Sequence, residues 1–149
     1  MKLFFASDHA GFELKNILIE YAESIGYEVE DKGDFSPEFK DDYPDYISLV
    51  AREISQNPEY KGVVVGGSGQ GEAIVCNRFP NVRAALWYGG SIDIVSLSRE
   101  HNDANVLSLG ARFMNVEEAK EALKLWLDTP FSGDERHKRR IEKIENLNK

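Results

Sequence analysis

Short apolar runs alternate five times with longer amphipathic stretches along the 149 residues, and few architectures accept that order. Residues 2–6 read as a buried strand, followed by a helix with Leu14, Ile17, Leu18, Tyr21 and Ile25 at helical spacing. Gly26 stands where a left-handed cap would close it. Residues 27–31 alternate as a second strand, 33–42 read as a loop, and Pro44 suits the first turn of a helix striped by Ile47, Val50, Ala51 and Ile54. The β-branched run 62–65 is a third strand that ends in Gly66-Gly67-Ser68-Gly69-Gln70-Gly71, with a helix starting inside that cluster and reaching about residue 77. A fourth strand over 82–87, a helix over 91–101 and a fifth strand over 105–109 follow. Asn115, with Glu118 three residues on, resembles a capping box for a helix striped by Val116, Ala119, Leu123, Trp126 and Leu127. After a loop at 129–133, a charged helix over about 134–147 carries Ile141 and Ile144. The pattern predicts an α/β domain over residues 1–149, its five-stranded parallel sheet covered by helices on both faces.

Composition narrows the partners. With 18 basic and 26 acidic residues the formal charge is −8, which disfavours nucleic acid and anionic membrane, both rich in phosphate. Cys76 is the sole cysteine, so neither an intrachain disulfide nor a cysteine-rich zinc site is expected. No apolar run approaches the roughly 20 residues that span a bilayer, and the apolar stretch at the N-terminus is short for a signal peptide. A soluble, cytoplasmic protein is the expectation.

In open parallel sheets ligands bind beyond the carboxyl ends of the strands. Ser7-Asp8-His9, the glycine cluster, Trp87-Tyr88 and Gly110-Ala111-Arg112 should therefore converge on one rim. Four glycines in six positions would let backbone amides approach a phosphate or an oxyanion, or would simply make a tight strand-to-helix turn. The spacing matches neither GxGxxG nor a P-loop, which argues against a dinucleotide or ATP. Glu72 follows the cluster directly, as a partner of the helix dipole or as a base beside a substrate carbon. Asp8 suits an N-cap, while His9 could bind an anion or move a proton.

His101 has the chemistry of a general acid or base and Asn102 that of an oxyanion donor, but both fall at the wrong end of their helix for this rim. They could serve it only from a second copy of the chain. Arg136 and Arg140, four apart in the one basic cluster, share a helix face suited to a small phosphorylated ligand. Cys76 reads as core, and no His/Cys spacing points to a metal.

Taken in order, Ser7-Asp8-His9-Ala10-Gly11-Phe12-Glu13-Leu14-Lys15, Asp42-Tyr43-Pro44-Asp45-Tyr46, Gly66-Gly67-Ser68-Gly69-Gln70-Gly71-Glu72, Arg99-Glu100-His101-Asn102-Asp103-Ala104 and Arg136-His137-Lys138-Arg139-Arg140 closely resemble the type B ribose-5-phosphate isomerases. The wider family includes galactose-6-phosphate isomerase subunits, and the resemblance runs from about residue 2 to 143. It implies a Rossmann-like three-layer α/β/α sandwich, a homodimer with sites shared across the interface, and interconversion of ribose and ribulose 5-phosphates without metal or other cofactor. Many members place a cysteine base where Gly66 stands here; the GGSGxGE branch, which this chain matches, uses the glutamate, Glu72.

The resemblance further implies ring opening by His101 with Asp8, and proton transfer between C2 and C1 by Glu72. Negative charge would be stabilised by amides around Gly67, Gly69 and Gly71, by Ser68 and by Asn102. His9, Arg112, Arg136 and Arg140 would hold the phosphate, with Tyr43 lining the sugar pocket. Trp87-Tyr88-Gly89-Gly90 departs from the family near the expected sugar, either reshaping the pocket or packing an interface. A six-carbon sugar phosphate is the nearest alternative substrate. A sensor that binds a sugar phosphate without turning it over is an alternative of another class, disfavoured by the joint presence of Glu72 and His101.

Overall fold

A strand covered on both faces sends successive side chains into two different cores. In the computed structural model, which describes residues 1–36 and 41–148, β1 (Lys2–Ser7) directs Leu3 and Phe5 into one apolar cluster and Phe4 and Ala6 into another. β3 (Lys61–Gly66) divides Val63 and Val65 from Val64 in the same way. The first cluster is closed by Leu14, Leu18 and Ala22 of α1 (Phe12–Ser24), Val95 of α4 (Asp93–Glu100), and Ala119, Ala122, Leu123 and Trp126 of α5 (Val116–Asp128). The second is closed by Ile47, Val50, Ala51 and Ile54 of α2 (Tyr43–Gln56) and Cys76 of α3 (Gln70–Cys76). Most of the helix stripes expected from the sequence are thus buried faces of a three-layer α/β/α sandwich, but Ile25, the C-cap of α1, and Ile144 near the C-terminus are exposed.

With β2 (Glu28–Asp31), β4 (Ala84–Trp87) and β5 (Val106–Gly110), the five parallel strands lie in the order β2-β1-β3-β5-β4. Chain direction across the sheet reverses between β1 and β3. That switch point opens a crevice beyond Ser7 and Gly66, and its walls are the Asp8-His9 turn and the glycine cluster.

Local signals mostly act as their residue types dictate. Gly26 takes φ +101°, and the Tyr27 and Gly26 amides donate to the carbonyls of Ala22 and Glu23, which closes α1 with a Schellman motif. Asn115 and Glu118 exchange side-chain bonds with each other's amides, completing the capping box of α5. Asp8 does not cap α1. Its Oδ1 accepts the Gly11 amide at 3.0 Å, and Gly11 is the N-cap, because a turn intervenes between strand and helix.

The fourth strand is shorter than the apolar run beginning at residue 82. The Val82 amide turns back to Phe79 O, and the Asn105 side chain holds the Arg83 amide at 2.8 Å, so pairing starts only at Ala84. The expected loop 33–42 lies partly outside the described residues. Among the described residues no helix is long and apolar enough to cross a membrane.

Candidate active site

Gly66 ends β3, and a β-carbon there would fall inside the carboxylate of Glu72. The bare backbone at 66 is therefore the slot into which Glu72 folds back from the first turn of α3, and its side chain is buried there at 4% exposure. Gly69, the N-cap of α3, has φ +78°, and a β-carbon on it would meet Leu86 Cδ1 at 2.8 Å and Leu109 C at 2.9 Å. Glycine is required there on both counts. Its carbonyl accepts the Ser108 hydroxyl of β5 at 2.6 Å, which pins the loop to the sheet.

Burial raises the Glu72 carboxyl to about 7, and the charge of Asp8 pushes the same way; the amides of Gly69 and of Glu72 itself draw it partly back. A carboxyl balanced near neutrality exchanges a proton with little driving force in either direction, as suits a group that must take one and return it. Cys76, one turn on, is buried, and its thiol is pushed up to about 12 by burial and by Glu72, so it is no nucleophile.

The other expected residues of this rim gather around the same slot. A β-carbon on Gly71 would touch the Tyr43 hydroxyl at 2.5 Å, placing the N-terminus of α2 over the glycine loop. Arg112, in a single 3-10 turn after β5, donates its amide to Gly67 O at 3.0 Å, and its Nη1 would lie 3.1 Å from a β-carbon at 67. Ser68 Oγ accepts the Gln70 amide at 3.3 Å. His9 follows Asp8, and its Nδ1 lies 2.7 Å from Asp41 Oδ1. That Asp41 contact was invisible in the sequence, where 41 is an ordinary acidic loop position. Among the described residues no three His, Cys, Asp or Glu side chains are grouped to hold a metal ion.

Four expected residues do not join this group. His101 caps the C-terminus of α4, and Asn102 O accepts Arg83 Nε at 3.1 Å. Both precede β5 and so lie at the amino ends of the strands, roughly 13 Å from the opposite rim at about 3.3 Å per residue. The His101 ring packs on His137 of α6 (Glu135–Glu145), with centroids 4.5 Å apart, a pairing that the distance in sequence concealed. Arg136 and Arg140, on the same helix, are exposed. Trp87 is mostly buried in the core, its Nε1 donating to Ser91 O at 3.1 Å, and it also lines a cavity with Leu86, Tyr88, Gly89 and Ile94. Tyr88 is exposed and rests against Phe113, with ring centroids 5.9 Å apart.

Comparison with known proteins places this arrangement. The sequence model of a family described as Ribose/Galactose Isomerase matches residues 3–144. The chain belongs to the ribose/galactose isomerase family. Among the family's curated members, it is 40% identical to ribose-5-phosphate isomerase B of Mycolicibacterium paratuberculosis over 142 residues, covering 95% of this chain and 88% of that protein. It is 38% identical to the Escherichia coli protein of the same name over 143 residues, covering 96% and 93%. Among solved structures, ribose 5-phosphate isomerase from Thermotoga maritima superposes with a TM-score of 0.90 at 42% identity, covering 98% of each chain. Ribose-5-phosphate isomerase B from Mycoplasma genitalium, with bound ribulose-5-phosphate, superposes at 0.93 with 36% identity, covering 99% of this chain and 95% of that one.

Proposed function

We propose that this protein interconverts ribose 5-phosphate and ribulose 5-phosphate, with Glu72 as the base. The observation that carries the reading is the Glu72 carboxylate, buried in the slot left by Gly66, beside Asp8 and under the amides of the glycine loop. The Mycoplasma genitalium relative, with its bound ketose phosphate, supports the choice of substrate.

The chemistry follows from the site. Once the ring is open, Glu72 takes the proton from C2, and that electron pair forms the C1–C2 double bond while O1 takes up negative charge. The proton on O2 passes to O1; O2 then becomes the carbonyl as Glu72 returns its proton to C1. The reaction is redox-neutral within one molecule, so it calls for no hydride carrier. Amides of Gly67, Gly69 and Gly71 and the Ser68 hydroxyl stabilise the enediolate, Tyr43 bounds the sugar, and His9 and Arg112 take phosphate oxygens.

His101, Asn102, Arg136 and Arg140 lie on the far rim of their own chain. The reading therefore includes a homodimer in which a second copy supplies them, His101 and Asp8 for ring opening and the arginines for phosphate. The cytoplasm, where phosphorylated sugars are retained by their charge, is its inferred location.

Incubation with ribose 5-phosphate in deuterated water, followed by proton NMR, tests the reaction. Ribulose 5-phosphate should form, with label entering at C1 and C2, and E72Q should lose turnover while retaining substrate binding. Near-normal turnover by E72Q removes the base assignment. Inactivity of the wild type toward pentoses but not hexose phosphates moves the substrate to six carbons.

A further inference from the structure

His9 is held from behind by an acid that the reading above does not use, and a second acid is buried nearby. Asp41 Oδ1 lies 2.7 Å from His9 Nδ1, and the Asp41 side chain is only 3% exposed against 27% for His9. Asp34, a buried residue, accepts the Ser36 amide on Oδ1 at 2.9 Å. The second oxygen of each acid, Asp34 Oδ2 and Asp41 Oδ2, is buried without a hydrogen-bond partner among the described residues.

Asp41 is raised by burial and by Asp34, against the opposing effect of His9.

We infer that Asp41 clamps the His9 ring through Nδ1 in the orientation that presents Nε2 to a phosphate oxygen of the substrate. Asp41 is a positioning residue: it touches the ligand's partner, not the ligand. The inference rests on His9 as a phosphate ligand, as proposed above.

The test is a double-mutant cycle on the intact enzyme with ribose 5-phosphate, joined to rescue by the conservative variant. D41A should raise KM about tenfold with kcat within about threefold, the scale of one hydrogen bond to a charged group. D41N should keep KM within about threefold, because its amide oxygen still accepts from His9 Nδ1. In the H9A background, D41A should add less than about twofold.

H9A with unaltered KM refutes His9 as a phosphate ligand and leaves the reaction itself standing. H9A with raised KM and a full, additive D41A effect refutes the clamp alone. D41N as damaging as D41A also refutes the clamp, because the amide oxygen keeps the acceptor.

Discussion

Replacing Glu72 by glutamine should abolish turnover and stabilise the protein, with a gain that depends on pH. The carboxyl is raised from 4.5 to about 7, first by burial and then by the Asp8 charge. Between those two values the folded protein keeps a proton that the unfolded chain has released. Stability therefore falls as pH rises through this window, the sign opposite to that of a carboxylate held low by a salt bridge. At about 1.4 kcal/mol per unit, the full displacement costs the folded state about 3 kcal/mol above pH 7. Glutamine has the shape of the protonated acid and never ionises. E72Q and the wild type should thus be nearly equally stable near pH 4.5 and differ by about 3 kcal/mol at pH 8. Urea unfolding at fixed protein concentration, which keeps any dimer contribution constant, measures the difference. A gap that fails to widen between pH 4.5 and pH 8 would refute the claim that Glu72 is a buried, destabilised base. In the active protein the same ionisation should appear as a fall in kcat/KM of about tenfold per pH unit below pH 7.

G66A should lower kcat at least a hundredfold with a smaller change in KM, since its methyl group takes the volume of the Glu72 carboxylate; steady-state kinetics decide, and normal kcat would show the slot to be roomier than described. R140A should raise KM for ribose 5-phosphate by about tenfold or more with kcat less affected, as expected for a lost charge-assisted bond to phosphate. Mixing inactive E72Q with inactive H101N and allowing subunits to exchange should restore about a quarter of wild-type activity, because half of the dimers are mixed and each holds one intact site; no recovery, with exchange verified by mass spectrometry, would place both groups in one chain. N115A should cost about 1 kcal/mol in urea unfolding by removing the capping box of α5, with kinetics unaltered.

The layers were legible because each depends on local pattern. The valine run 63–65 and the Ile47, Val50, Ala51, Ile54 stripe each specify a buried face without reference to the rest of the chain. The slot for Glu72 was legible only as a list of residue types. That Gly66 is bare so that Glu72 can fold over it is a fact about two side-chain volumes, visible only once β3 and α3 are placed. Asp8 misled for a related reason: it has the residue type of a cap, but the three-residue turn after β1 gives that position to Gly11. The Asp34, Asp41 and His9 group was hidden because it joins a loop to a strand end 32 residues away, and nothing in an acidic stretch marks which carboxyl turns inward.

The order β2-β1-β3-β5-β4 also has a consequence for how the chain is made. β4 leaves the ribosome before β5, yet among the described residues β5 is its only neighbour in the sheet, paired from Ala84↔Val106 to Trp87↔Leu109. Until residue 110 has emerged, Ala84–Trp87 has no strand to pair with, and one edge of β3 lies open to other chains. The half-sheet of β2, β1 and β3 can form early, whereas the second half must wait for one late insertion that completes both edges together. A nascent chain stalled between residues 90 and 105 is thus the species most in need of a chaperone.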